Sequence, residues 1–131
     1  MKPAVLIVED EDMIREMMDI TLTQAGFRVT TVSNGASALE VLKHQTVQLV
    51  LLDVHMPHMS GLEVLEKIKR RVRPTPPVLM VTANRNAETV TQAMRLGCAG
   101  YIAKPFKPDD LIARLRSAIA PTKAVEDTEW L

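Results

Sequence analysis

Cysteine is all but missing from this sequence: Cys98 is the only one among 131 residues. A single thiol excludes an internal disulfide framework and a cysteine-cluster metal site, and it suits a reducing compartment. Aromatic residues make up only 3% of the chain, and no Ser/Thr/Gly-rich loop follows the first apolar run, which counts against a flavin site. Net charge is missing as well, with 16 basic residues against 16 acidic ones. No overall field therefore draws the chain to nucleic acid or anionic lipid, and direct nucleic-acid binding is not expected. No apolar run approaches the roughly 20 residues that span a bilayer, and no basic segment followed by an apolar core and a small-residue cleavage site opens the chain. A soluble, cytoplasmic protein without a membrane partner is expected.

What is present is an apolar content of 47%, ordinary for one globular domain with a real core. AVLIVE at 4–9 is a short apolar, β-branched run ending in acid, as in a strand buried on both faces. Ile14, Met17, Met18 and Leu22 then recur at helical spacing over 12–24, and Gly26 supplies a stop. FRVTTV reads as a second strand, Asn34-Gly35 breaks it, and Ala38, Leu39, Val41 and Leu42 mark a short helix. VQLVLLD is a third strand with Asp53 at its C-terminal end. A helix from Ser60 or Gly61 carries Leu65, Ile68 and Val72, and RPTPP leaves helical geometry. VLMVT, a helix over 87–96 ending at Gly97, AGYIA, and a helix from near Pro108 with Leu111, Ile112, Leu115 and Ile119 complete the pattern. Five strand-helix units predict an α/β fold: a five-stranded parallel sheet, doubly wound, (βα)5 and flavodoxin-like, with strand order 2-1-3-4-5. The domain is expected over 1–120, and 121–131 (PTKAVEDTEWL) as a polar C-terminal tail or the start of a linker.

That topology gathers the C-terminal strand ends: Glu9-Asp10-Glu11-Asp12, Asp53, Thr82 and Lys104-Pro105. Carboxylates collected in one crevice repel unless protonated or bound to a cation, and an all-oxygen set suits a hard ion such as Mg2+. With a lysine and a hydroxyl added, the set can transfer a phosphoryl group, Asp53 being the best-placed nucleophile.

VLIVEDED, LLDVHMPHMSG, MVTA and YIAKPF, in this order and spacing, resemble the receiver domain of two-component response regulators, and among them the chemotaxis-regulator-like ones. The resemblance implies that Asp53 is the phosphoacceptor, taking a phosphoryl group from a histidine kinase or histidine phosphotransfer protein. It implies that Glu9, Asp10, Asp53 and the backbone carbonyl of His55 hold magnesium, and that Thr82 and Lys104 contact the phosphoryl oxygens. Thr82 and Tyr101 would form the switch, with Ala83 small enough to leave the path open and Lys104-Pro105 in the cis form. The face of the fourth helix, fifth strand and fifth helix, including Arg95, Tyr101 and Lys107, would bind a downstream partner or output domain, or form a homodimer. His55 and Asn84 would tune the lifetime of the acyl phosphate. Glu9 departs from the commoner aspartate, and its extra methylene suggests contact with the ion through water.

Other readings are weaker. Asp12 and Glu11 suit the N-terminus of the first helix better than a metal set. His55 and His58 lack a third ligand for a transition metal, and His44 reads as a surface residue. A dehalogenase-like phosphatase would place an aspartate two residues after its nucleophile, where this chain has His55. A phosphate-independent interaction protein is the other alternative, and on balance the chain reads as a signalling switch that catalyses only its own phosphorylation and slow dephosphorylation.

Overall fold

The structure is a computed structural model describing residues 2–83 and 86–129, from residue 120 onward as backbone alone. Strands and helices alternate along the chain: β1 (Ala4–Val8), α1 (Asp12–Gln24), β2 (Arg28–Val32), α2 (Gly35–His44), β3 (Leu49–Asp53), α3 (Gly61–Arg71), β4 (Val78–Thr82), α4 (Ala87–Arg95), β5 (Gly100–Ala103) and α5 (Pro108–Glu129). All neighbouring strands pair in parallel in the order β2-β1-β3-β4-β5, as predicted.

Alternation along the central strands divides the core between the two faces of the sheet. Leu6, Val8, Val50, Leu52, Val78 and Met80 pack with Leu65 and Ile68 of α3, Ala38 and Leu42 of α2, and Ala93 of α4. Val5, Ile7, Leu49, Leu51, Leu79 and Val81 point the other way, against Met18 and Leu22 of α1 and Leu111 and Leu115 of α5. A strand covered on both faces has no position for a polar side chain until it ends. Among the described residues, the buried polar or charged side chains are Glu9, Asp53 and Thr82, each at or just past the C-terminal end of a central strand.

Local signals set the helix limits. Asn34 Oδ1 accepts from the Ser37 N–H at 2.8 Å, and Ser60 Oγ accepts from the Glu63 N–H at 3.3 Å, so each caps the helix that follows. Gly26, with φ of 99°, turns the chain after α1, and Gly97 does the same after α4 with φ of 87°. Three details depart from the sequence reading. Met17 is not packed inward with Met18, because adjacent helical residues diverge by about 100°; it stays 36% exposed. Arg73-Pro74 is cis as well as Lys104-Pro105, of which only the second was expected. The backbone of α5 continues through Pro121 to Glu129 rather than fraying there: no further proline or glycine follows Pro121 to stop the helix.

Candidate functional site

Parallel pairing carries the ends of β1, β3, β4 and β5 to one edge of the sheet. The ladder runs slightly past the strands, since the Glu9 N–H donates to the Val32 carbonyl at 3.1 Å and the Lys104 N–H to the Thr82 carbonyl at 2.8 Å. These bonds fix Glu9 and Lys104 relative to Asp53. Glu9, Asp10 and Asp53 each offer a carboxylate oxygen within 4.8 Å of the others, with Glu9 and Asp53 buried and Asp10 exposed. Lys104 Nζ lies 2.7 Å from Glu9 Oε1 and 3.5 Å from Asp53 Oδ1, and the backbone N–H of His55 donates to Asp53 Oδ1 at 3.4 Å.

Two buried carboxylates with a third beside them and one ammonium between them leave negative charge in excess. The carboxyl of Asp53 is consequently pushed up to about 7, first by burial and then by the charge of Glu9, with Lys104 pulling the other way. Burial alone would lower the ammonium of Lys104, but its hydrogen bond to Glu9 and the charge of Asp53 outweigh that and hold it above the ordinary lysine value. A clustered, all-oxygen donor set with uncompensated charge fits a hard divalent cation such as magnesium.

The raised carboxyl has a measurable consequence. An unfolded aspartate titrates near 4, so between about 4 and 7 the folded metal-free protein binds the extra proton, and stability must fall as pH rises through that window. Asp53→Asn removes the dependence. The variant is expected to match the wild type near pH 4 and to exceed it by ~2 kcal/mol at pH 8, discounted because the crevice opens to solvent. Chemical denaturation at the two pH values in chelator checks this.

Thr82 is buried at the end of β4, next to β3, and it lines an apolar void of about 10 Å³ together with the half-buried Tyr101 and with Val54, Ala93 and Met94. On the other side of Lys104 an open groove of about 390 Å³ is lined by Glu11, Ile14, Met17, Ala83 and Phe106. The His55 side chain is exposed at the lip. His58 is exposed in the same loop, in the left-handed region at φ of 70°. Asn84 lies outside the described residues. Asp12 stands in the first turn of α1, as expected, and His44 is an exposed neighbour of Glu40 at 3.1 Å.

Two contributors were not legible beforehand. Arg15 donates from Nη1 to the Glu9 carbonyl at 3.0 Å and from Nη2 to Asp12 Oδ1 at 2.6 Å, tying the acidic run to α1. Its position three residues after Asp12 on a helix was the available signal. Gly61, read only as a possible helix start, packs its bare α-carbon on the backbone of Asp53 and Val54.

Comparison with known proteins agrees with this fold. The chain is 35% identical over 125 residues to the transcriptional regulatory protein KdpE of Mycobacterium tuberculosis, covering 95% of this chain and 54% of KdpE. It is 37% identical over 116 residues to the DNA-binding transcriptional regulator NtrC of Escherichia coli, covering 88% of this chain and 24% of NtrC. It thus spans about half the length of one relative and about a quarter of the other. The high-resolution structure of the chemotaxis response regulator CheY4 of Vibrio cholerae superposes with a TM-score of 0.85 at 30% identity, covering 90% of this chain and 99% of that one. Residues 5–116 match the response regulator receiver domain, and the chain belongs to that family of two-component signalling switches.

Proposed function

We propose that Asp53 is the phosphoacceptor of this domain and that its phosphorylation switches partner binding. The observation that carries the proposal is the meeting of three carboxylates within 4.8 Å with an ammonium 3.5 Å from Asp53 Oδ1, at the C-terminal edge of a parallel sheet. Glu9, Asp10, Asp53 and the His55 carbonyl are the residues that would hold Mg2+. When bound, the ion would neutralise the phosphoryl oxygens. Asp53 attacks the phosphorus of a phosphohistidine on a sensor kinase or phosphotransfer protein. The phosphorus–nitrogen bond breaks, its electron pair stays on the imidazole, and an acyl phosphate remains on Asp53. Lys104 and the hydroxyl of Thr82 meet the transferred oxygens. The groove beside Lys104 offers the donor a way in.

The added charge draws Thr82 inward, and Tyr101, which lines the same small apolar void as Thr82, follows it. The face of α4, β5 and α5 then differs between the two states, with Arg95 and Lys107 exposed and Tyr101 half-buried on it. A downstream protein, an attached output domain or a second copy reads that difference. Residues 121–131 serve as the tail or linker leading from the domain, and no described helix is long and apolar enough to cross a membrane.

Incubation with magnesium and acetyl phosphate, followed by intact mass measurement, tests the proposal. The wild type is expected to gain one phosphoryl group, and Asp53→Asn to gain none. An adduct that survives in Asp53→Asn sinks the assignment, and rapid multiple turnover of the donor would favour a hydrolase. In the same assay His55→Ala and Asn84→Ala are expected to change the rate at which the adduct decays, and an unchanged rate removes them as lifetime-setting residues.

A further inference from the structure

Arg15 joins the two ends of the acidic run that follows β1. Its Nη1 donates to the backbone carbonyl of Glu9 at 3.0 Å and its Nη2 to Asp12 Oδ1 at 2.6 Å, with Asp10 and Glu11 between the two points of attachment. Glu9 is itself tied to the sheet through the bond from its N–H to the Val32 carbonyl at 3.1 Å, and Asp12 opens α1. The guanidinium therefore braces the end of β1 against the start of α1, across the loop that carries Asp10. We infer that Arg15 is a positioning residue for the divalent cation, holding this loop in the form that keeps a carboxylate oxygen of Asp10 within 4.8 Å of one on Asp53. The inference rests on the phosphorylation reading above and names what sets the affinity of that site for its ion.

An ordinary helix pair has no need of this geometry. The Asp12 side chain is 88% exposed, and an exposed pair three residues apart contributes little by itself. The Arg15 side chain is only 23% exposed, and it reaches back six residues to a backbone carbonyl, which such a pair does not require. A guanidinium presents its donors in a rigid planar fork, so two acceptors bound to one fork are held relative to each other. A lysine would bring the same charge without that fork. Charge and positioning also predict opposite signs. A fixed positive charge beside a cation site repels the ion, so if charge were what mattered, removing it would tighten binding. If the brace is what matters, its loss frees Asp10 to move and binding weakens, as when a group supporting a metal ligand is removed.

Mn2+ is a suitable probe, because the free ion gives an electron paramagnetic resonance signal that is lost on binding. Arg15→Lys and Arg15→Met are both expected to bind Mn2+ roughly tenfold more weakly than the wild type. Wild-type affinity in Arg15→Lys, or tighter binding in Arg15→Met, overturns the inference. With acetyl phosphate as donor, the magnesium concentration that gives half the maximal labelling rate is expected to rise by the same factor in Arg15→Lys, with most of any lost rate recovered at saturating magnesium. A lowered maximal rate at an unchanged magnesium requirement counts against the positioning role. A further readout needs no metal. The backbone order parameter of Asp10 from 15N relaxation is expected to fall in metal-free Arg15→Lys from about 0.85, the value of rigid backbone, toward about 0.6. An unchanged value overturns the brace. If the wild-type chain takes up no Mn2+ at all, the phosphorylation reading fails and takes this inference with it; if the wild type binds and Arg15→Lys binds equally well, this inference fails alone.

Discussion

Replacing Lys104 with methionine is expected to destabilise the metal-free protein at pH 8 by about 3 kcal/mol, lowering its melting temperature by roughly 10 °C. Methionine preserves most of the stem and its packing, so the loss isolates the ammonium. That group is the nearest cation to two carboxylates that are themselves buried, at 2.7 Å from Glu9 and 3.5 Å from Asp53. The cost lies less in the missing attraction than in two negative charges left facing each other away from water. A figure near the lower end of the range for broken buried pairs is appropriate, because the Lys104 side chain keeps 16% of its exposure. The pH dependence has a definite sign. The raised folded-state value of Lys104 means that its stabilising contribution is complete below the unfolded lysine value near 10.4 and fades only above it, so pH 8 reports all of it. The deficit of the variant should shrink toward pH 5, where Asp53 carries its proton. Adding Glu9→Gln to Lys104→Met should restore at least half of the lost stability by removing one orphaned charge. If the double variant is no more stable than the single one, the penalty is not electrostatic. Thermal denaturation in chelator at the two pH values provides the measurement.

The parts of this site legible in the sequence were those where one physical constraint dominates. A strand covered on both faces must be apolar throughout, so AVLIV, LVLLD and VLMVT announce themselves, and the first polar residue marks the strand end. Parallel topology then places Glu9, Asp53, Thr82 and Lys104 together without any knowledge of side-chain geometry. The helix limits were legible for the same reason, since Asn34, Ser60, Gly26 and Gly97 each meet a local backbone demand. What could not be read was pairwise geometry inside the cluster. Nothing in the order Glu9-Asp10 says that one carboxylate turns inward to Lys104 while the next stays exposed, because that depends on how far Lys104 reaches from the opposite side of β3. The continuation of α5 past Pro121 was hidden for a different reason. Proline disfavours a helix interior by about 3 kcal/mol, yet a long helix on both sides can absorb the penalty, so the residue type alone decides nothing.

Gly61 shows what such pairwise geometry controls, and Gly61→Ala is expected to cost about 3 kcal/mol or more and to slow adduct formation at Asp53. A methyl group built on Gly61 would overlap the carbonyl oxygen of Asp53 and stand 2.7 Å from the α-carbon of Val54. Both obstacles are backbone, so no side-chain rotation relieves them. The first turn of α3 must therefore tilt away, or the end of β3 must move, and the phosphoacceptor sits on that end. The Gly61 N–H bond to the Val54 carbonyl, at 2.8 Å, resists the first escape and directs strain into the second. Gly26→Ala separates this effect from a general intolerance of glycine replacement. Gly26 has φ of 99° but nothing within 4 Å of an added Cβ, so only backbone strain of about 1 kcal/mol is expected there, with adduct formation unchanged. Denaturant melts should rank the two variants in that order. Rate measurements with acetyl phosphate should show a loss for Gly61→Ala alone. Equal costs in the two variants, or a normal adduct rate in a destabilised Gly61→Ala, would mean that contact between α3 and β3 does not hold Asp53 in place.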